Sequence, residues 1–318
     1  RYGLGRLLAP EVELLSGPGC PVCVTSATDL DYAIALAGCS GVRLATFGDL
    51  MRVPGSGGRS LQHATSEGAD VRVIYSPLDA LELAATDRGR QVVLVGIGFE
   101  TTAPGVAATL LRAEAEHVSN LLLLSLHKLT PPAMRAILSA GVVCLDGIIG
   151  PGHVSAVTGS DAWRFVAEEY GVGVAVSGFE PVDMLQAVAA LAEMAIAREP
   201  RVVNAYGRGV RPDGNPAAQG LLRRCFVVGD AEWRGLGRLK ASGLSLATPL
   251  EHRDARLLYP LQVAPAQEPA SCRCGEVLSG AAAPEDCALF GVACTPRAPV
   301  GPCMVSAEGS CAAHYRYA

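Results

Sequence analysis

Several features that would define a function class are missing from this 318-residue sequence. It has no block of lysine and arginine residues and its net charge is −5 at pH 7, which argues against binding to nucleic-acid phosphates. Its longest apolar stretches, such as Leu121 to Leu126 and Ala187 to Ala197, are much shorter than the roughly twenty residues of a membrane span. We therefore expect neither a nucleic-acid partner nor a membrane anchor.

No charged segment followed by an apolar segment opens the chain, so no secretory signal is predicted and a cytoplasmic location is expected. The first residue is Arg1 rather than methionine, which leads us to expect a further upstream segment. The 11 cysteines are an odd number, and they cluster in motifs instead of forming a disulfide framework. Reduced thiols with metal or redox chemistry are the better interpretation.

Half of the residues are hydrophobic, which is typical of a globular protein with two or three domains at this length. Short apolar runs alternate with longer Ala- and Leu-rich segments up to about Ala197, and this pattern predicts βαβ units with parallel sheets. We expect an α/β protein with two similar parallel-sheet domains, at 1–115 and 116–235. A loop- and helix-containing iron–sulfur domain is predicted at 236–318.

Predicted strands and helices follow from the same pattern. The clearest strands are Val71 to Tyr75, Gln91 to Gly96, Leu121 to Leu126, Asp146 to Ile149 and Val172 to Val176, and the segments that read as helices are Ala103 to Glu116, Pro131 to Ala140 and Val182 to Arg198.

Six of the 11 cysteines lie in the last 47 residues, among prolines and glycines that let a loop fold back on itself. The last four of the six are separated by six to eight residues, whereas a zinc ribbon has paired Cys-x-x-Cys knuckles. The wide spacing favours a four-iron cluster, with zinc and buried or disulfide-bonded cysteines as the alternatives. Cys272 and Cys274 could ligate the cluster, exchange disulfide electrons with it, or only lie nearby.

Near the start, Gly17-Pro18-Gly19-Cys20-Pro21-Val22-Cys23 places two thiols within disulfide reach, on a turn that leads into a predicted helix from about Ala27. A helix N-terminus favours the thiolate form, so we favour a redox-active pair over a structural or zinc role. The remaining cysteines, Cys39, Cys144 and Cys225, lie in apolar surroundings and are predicted to be core thiols.

Polar side chains follow several predicted strands, at the edge where parallel sheets bind ligands. They are Glu100, His127, His153 and Glu180. Hydrogen bonding, proton transfer and helix capping all remain open for each of them. Gly96-Ile97-Gly98 is not a dinucleotide fingerprint, because Thr101 stands where the third glycine belongs.

Several motifs together resemble the hydrogenase maturation factor HypD family along the whole chain. They are GPGCPVCVT (17–25), GFETTAP (98–104), GPGHVSA (150–156), SGFEP (177–181), NAYGR (204–208), CRCGEVL (272–278) and the tail from Cys287 to Tyr317.

This resemblance implies a redox-active assembly scaffold, and not a turnover enzyme. On it the Fe(CN)2(CO) centre of [NiFe]-hydrogenase is built together with HypC, with cyanide from HypE, before transfer to the hydrogenase large subunit. It also implies a [4Fe-4S] cluster and a redox pair formed by Cys20 and Cys23. The implied cluster ligands are Cys287, Cys294, Cys303 and Cys311. Glu100, His153 and Glu180 complete the expected site.

The family also carries a Cys-Gly-Thr-His motif just before the segment that corresponds to Tyr2 to Leu8, and the cysteine of that motif is thought to hold the nascent iron. The printed chain starts after this point, so we expect either an upstream segment or a different way of holding iron. Two other functions compete with the scaffold: a free-standing thiol–disulfide oxidoreductase in which the cluster feeds Cys20 and Cys23, and a zinc-stapled structural protein.

Overall fold

Alternating strands and helices make up most of the protein in the computed structural model, which describes residues 2–266 and 268–317. The strands are β1 Val42–Phe47, β2 Asp70–Ile74, β3 Gln91–Gly96, β4 Leu121–Ser125, β5 Gly147–Pro151, β6 Gly173–Ser177, β7 Val202–Asn204, β8 Phe226–Trp233 and β9 Gly237–Leu246. The α-helices are α1 Leu4–Leu8, α2 Pro21–Val24, α3 Ala27–Ala37, α4 Leu61–Ser66, α5 Pro77–Thr86, α6 Ala103–Ala115, α7 Thr130–Ala140, α8 Gly152–Thr158, α9 Arg164–Tyr170, α10 Pro181–Ala197, α11 Pro216–Cys225, α12 Ala255–Leu258, α13 Cys274–Ser279 and α14 Ser310–Tyr317. Short 3-10 helices connect them at Gly48–Arg52, Ser56–Gly58, Ser160–Trp163, Thr248–Arg253, Pro284–Asp286 and Pro302–Met304.

The first sheet contains four parallel strands in the order β2-β1-β3-β4. Its central strand β3 is buried from Val92 to Gly96, because helices cover both faces, and this explains the unbroken apolar run in the sequence. β4 pairs with β3 with Leu123 opposite Leu94, although it lies after residue 115. The predicted domain boundaries stay predictions.

A second parallel sheet has the order β5-β6-β7 and is covered by α10. All five residues of β6 are buried. β6 starts with Gly173, where a Cβ would lie 2.7 Å from Sδ of Met194, so a larger residue would require the Met194 side chain to move. Two parallel α/β sheets were predicted from the sequence, and the structure confirms them.

The strands β8 and β9 form an antiparallel hairpin that the sequence analysis did not predict. Its buried Trp233 stacks on Phe99, with 6.1 Å between ring centroids, and its Nε1–H donates to Oγ of Ser242 at 2.9 Å. An isolated antiparallel bridge joins Trp233 to Thr25. The hairpin thereby connects the first sheet to the segment that carries the Cys-x-x-Cys motif.

After α12 the chain forms loops and short helices that return to the first sheet. Oγ of Ser306 donates to a carboxylate oxygen of Asp49 at 2.7 Å, and Nη1 of Arg52 donates to the carbonyl of Pro296 at 3.2 Å. Both partners lie in the 3-10 helix that directly follows β1. The cysteine-rich tail is therefore held at the carboxyl edge of the first sheet.

In the part of the chain that the structure describes, every helix is too short or too polar to cross a bilayer.

Candidate redox and metal centre

The Cys-x-x-Cys motif forms a buried disulfide at the start of a short helix. Cys20 is the N-cap of α2, and its Sγ accepts a hydrogen bond from the backbone N–H of Cys23 at 3.2 Å. Pro21 occupies the first helical position, where no N–H is needed. Ser26 then caps α3, which begins at Ala27 as predicted. Cys20 and Cys23 are disulfide-bonded, and their side chains are 2% and 0% exposed.

The C-terminal tail packs directly on this disulfide. Sγ of Cys23 lies 3.8 Å from the carbonyl oxygen of Pro302, in the 3-10 helix Pro302–Met304. The same helix carries Cys303, which forms a second disulfide with Cys274 at the start of α13. Two buried disulfides thus lie on adjoining segments that are far apart in the sequence.

The pairing of Cys303 with Cys274 differs from the ligand set that the family resemblance implies. A disulfide sulfur offers no thiolate to a metal, so in this structure Cys303 is not available as a cluster ligand. Cys272, for which the sequence left three roles open, has a free thiol. Spacing along a loop does not determine which sulfurs meet in space, so this difference depends on the tertiary structure.

Four free thiols converge beside the second disulfide. They belong to Cys272, Cys287, Cys294 and Cys311, and together with Cys274 and Cys303 they line one cavity. Its other walls are largely apolar, with Leu289, Phe290 and Met304 among them. The structure therefore brings together Cys287, Cys294 and Cys311 as expected, with Cys272 as the fourth thiol.

Electrostatics in this cavity oppose the ionisation of several thiols at once. Burial, followed by the negative charges of Cys294, Cys272 and Cys287, raises the pKa of Cys311 to about 12. The pKa of Cys272 is also raised, first by burial and then by Cys287 and Cys294, although the charge of Arg234 acts in the opposite direction. A cation bound between the thiols would favour the ionised forms of Cys272 and Cys311.

The donor set around this cavity is compatible with an iron–sulfur cluster. Among residues 2–266 and 268–317, no three His, Cys, Asp or Glu side chains surround one point closely enough to hold one metal ion. A [4Fe-4S] cluster has a different requirement, because each of its four irons takes one thiolate. Four separate thiols around one apolar cavity meet that requirement.

Close backbone packing explains two glycines of the tail. A Cβ on Gly301 would lie 2.7 Å from Sγ of Cys272, and a Cβ on Gly309 would collide with the carbonyl group of Cys303. Both positions are therefore needed to let the tail fold around the sulfurs. The sequence predicted this use of glycine in general terms.

The Glu100 side chain is buried at the end of the first sheet. Its side chain is 3% exposed, and its Oε1 accepts from the backbone N–H of Thr130 at 2.8 Å, at the start of α7. Burial raises its pKa to about 7, although hydrogen bonds from the backbone and from Thr130 oppose the shift. Among the residues that the structure describes, no hydrogen bond or ion pair connects Glu100 to the thiols, His153 or Glu180.

His127 and Lys128 are buried where β4 ends. Nδ1 of His127 is 3.2 Å from Oγ of Ser125, and burial lowers the pKa of His127 to about 3. Nζ of Lys128 forms an ion pair with Asp29 at 3.2 Å. These contacts are typical of core residues rather than of groups facing a cleft.

His153 and Glu180 lie together at the carboxyl edge of the second sheet. The exposed His153 ring packs on Phe179 with 4.3 Å between centroids. Both Nη atoms of Arg208 donate to Asp183 at 2.6 Å, and Nη2 also reaches Glu180 at 3.3 Å. The guanidinium of Arg208 lowers the pKa of Asp183.

The sequence analysis missed Asp183 and Arg208 as parts of this group. The available signal was NAYGR, which contains Arg208 and follows a strand. Of the three cysteines predicted to be core thiols, Cys225 is buried, Cys39 is intermediate and Cys144 is exposed, so the prediction is wrong for Cys144.

Comparison with known proteins agrees with the motifs. The family profile HypD, described as the hydrogenase formation hypA family, matches residues 1–318. Hydrogenase maturation factor HypD2 of Bradyrhizobium diazoefficiens is 44% identical over 324 residues, which cover 100% of this chain and 85% of that protein. HypD of Azotobacter vinelandii is 45% identical over 323 residues (100% and 85%), and HypD of Escherichia coli is 44% identical over 321 residues (100% and 85%). On this evidence the chain belongs to the HypD family of hydrogenase maturation factors.

Proposed function

We propose that this chain is the scaffold on which the Fe(CN)2(CO) centre of [NiFe]-hydrogenase is assembled. In this proposal it acts with HypC, receives cyanide from HypE and passes the finished centre towards the hydrogenase large subunit. Membership of the family gives a role in hydrogenase maturation. The observation that carries the finer proposal is the continuous group of sulfurs, from four free thiols through one disulfide to a second disulfide at Cys20 and Cys23.

The proposed cluster ligands are the four free thiols, Cys272, Cys287, Cys294 and Cys311. Thiolate sulfur is the ligand that iron–sulfur clusters favour. A bound cluster would supply single electrons to the sulfurs around it. The cavity is closed on one side by the Cys274–Cys303 disulfide, which is therefore the nearest acceptor.

Electron transfer to Cys20 and Cys23 would then go through thiol–disulfide exchange. Reduction of the Cys274–Cys303 disulfide takes two electrons, delivered one at a time by an external one-electron donor, and two protons. A thiolate of the reduced pair would attack the Cys20–Cys23 disulfide and form a mixed disulfide. The second thiolate would resolve it, which restores the Cys274–Cys303 disulfide and leaves Cys20 and Cys23 as thiols.

Burial argues against the free-standing oxidoreductase. Cys20 and Cys23 are 2% and 0% exposed, and Pro302 covers Cys23, so a disulfide of another protein has no direct approach. In this proposal the Cys274–Cys303 pair is the internal donor. The contact with the tail therefore supports a relay inside the scaffold.

His153 and Glu180 are proposed to contact the partner or cargo, since both are exposed at the ligand-binding edge of the second sheet. Glu100 is proposed to hold α7 in place and not to touch cargo. The predicted cytoplasmic location stays a prediction.

The proposal is tested by anaerobic co-purification with HypC and HypE, with the protein expressed from its native reading frame. We expect a complex with infrared bands of bound cyanide and carbon monoxide, and we expect Cys20→Ser to abolish these bands. Cys144→Ser is the matched control, because Cys144 is an exposed free thiol and should have no effect. Turnover of a disulfide substrate without HypC, with no such bands, would instead establish the oxidoreductase.

A further inference from the structure

Arg234 connects the two cysteine-rich parts of the chain. It directly follows β8 and is 4% exposed. Its backbone N–H donates to the carbonyl of Val24 at 2.8 Å, and its Nε–H donates to the carbonyl of Thr25 at 3.0 Å. Both carbonyls come immediately after Cys23, so part of the Arg234 side chain fixes the end of the Cys-x-x-Cys segment.

Of the two Nη groups of Arg234, one has an ion-pair partner and the other has none among the described residues. Nη1 forms an ion pair with Glu268 at 3.4 Å, whereas Nη2 is buried and has no hydrogen-bond partner within residues 2–266 and 268–317. Arginine does not lose its proton in proteins. A buried, charged donor without an acceptor is unfavourable and uncommon, so this Nη2 is available to an acceptor that is not among the described residues.

Arg234 lies next to the segment that carries the proposed ligand Cys272. Gly235 packs against Gly275, and a Cβ on Gly275 would lie 2.7 Å from Cα of Gly235. This contact fixes Arg234 next to the segment that carries Cys272 and Cys274. The guanidinium and the thiol of Cys272 also influence each other, since the charge of each stabilises the ionised form of the other.

We propose that Arg234 is a positioning residue for the iron–sulfur cluster, whose reduced form it stabilises through its buried charge and free Nη2 donor. This inference rests on the proposed function, because it requires a cluster on the four free thiols. Reduction adds one electron to the cluster without forming or breaking a bond. The added negative charge is more stable next to a fixed cation in a medium of low dielectric constant, so Arg234 raises the reduction potential.

The test is a redox titration of the anaerobically reconstituted full chain with dithionite, followed by electron paramagnetic resonance of the reduced cluster. We expect R234Q to lower the equilibrium constant for cluster reduction tenfold or more, which is about 59 mV for a one-electron couple. R273Q is the matched control. It removes the same charge between Cys272 and Cys274, but the Arg273 side chain is 38% exposed, so water should limit its effect to about threefold or less.

A second variant keeps the test independent of folding. E268Q removes the carboxylate that partly neutralises Arg234, and Glu268 is 44% exposed, so the fold should tolerate the change. We expect E268Q to make reduction more favourable, the opposite direction from R234Q. A folding defect does not favour reduction, so an upward shift shows that charge at this position reaches the cluster in the folded protein.

Three outcomes overturn the inference. If the shift in R234Q is no larger than in R273Q, the buried charge has no special influence. If E268Q shifts the potential downward or leaves it unchanged, Arg234 does not act through its charge. If wild-type protein binds no iron and sulfide, the proposed function fails and this inference fails with it, whereas a normal cluster with an unmoved potential overturns the inference alone.

Discussion

The choice between Cys272 and Cys303 as the fourth cluster ligand gives the sharpest prediction. Cys272→Ser replaces one of four soft thiolates with a hydroxyl, a poor ligand for iron–sulfur iron. We expect its iron and sulfide content to fall from about four atoms of each per chain to below one. Cys303→Ser leaves all four free thiols in place, and we expect it to retain the cluster.

Cys303→Ser should instead show a stability defect. The Cys274–Cys303 disulfide joins residues 29 positions apart, and the loop-entropy relation gives it about 3.5 kcal/mol of stabilisation. Cys274→Ser removes the same disulfide and is therefore a matched control with the same expected loss. Under strongly reducing conditions the free energy of unfolding of the wild-type protein should fall to that of the two variants, because the disulfide is then absent from all three proteins.

The assays are iron and acid-labile sulfide analysis after anaerobic reconstitution, with chemical denaturation in the presence and absence of reductant. If Cys272→Ser bound a full complement of iron and Cys303→Ser bound none, the ligand set taken from this structure would be refuted. The set implied by the sequence would then stand.

Three further predictions concern single side chains. Gly301→Ala places a Cβ 2.7 Å from Sγ of Cys272, so we expect lower iron occupancy and a loss of about 1–3 kcal/mol in the free energy of unfolding. The control is Gly220→Ala, whose Cβ meets no atom within 4 Å. Equal iron occupancy in the two variants would contradict the close contact. The pKa of Glu100 is raised from 4.5 to about 7 in the folded protein. The resulting stabilisation of the folded state is complete below pH 4.5, and about 3 kcal/mol of the free energy of unfolding is lost as the pH rises towards 7. Relative to E100Q, the wild-type protein should therefore lose stability over this interval in denaturation curves, and parallel curves would show that Glu100 does not titrate there. Nη1 of the buried Arg253 donates to the carbonyls of Val118 and Leu121 at 2.9 and 2.8 Å, so R253M should lower the free energy of unfolding by about 3 kcal/mol, measured by thermal or chemical unfolding. The Arg256 side chain is 41% exposed, so R256M should lower it by less than about 1 kcal/mol. Similar losses in both variants would refute the role of the buried carbonyl contacts.

Local chemistry in the sequence predicted the parallel strands β2 to β6, whereas β1 and β7 were not among the predicted strands. The strand β3 and its neighbour β4 are runs of Val and Leu because helices cover both faces of the sheet. Such runs can be recognised in the sequence without a structure. Proline at the first turn of α7 and α10, and the capping cysteine of α2, are similarly local signals. The hairpin β8–β9 was missed, since its exposed residues and glycines give no regular alternation.

Some residues of the candidate site could also be predicted from local sequence, whereas others depend on contacts between distant segments. Cys20 and Cys23 are three positions apart, so their pairing follows from the short chain between them, and the sequence predicted it. The motifs were also enough to place the chain in its family. Contacts between distant segments had no such signal in the sequence. Examples are the disulfide that excludes Cys303 from the free thiols, the hydrogen bond from α7 to Glu100 and the Nη2 of Arg234 without a partner among the described residues. All three depend on how the tail and the hairpin pack on the first sheet. These were decided by tertiary structure alone, because loop segments of similar composition can bring different side chains together, and only packing selects one arrangement.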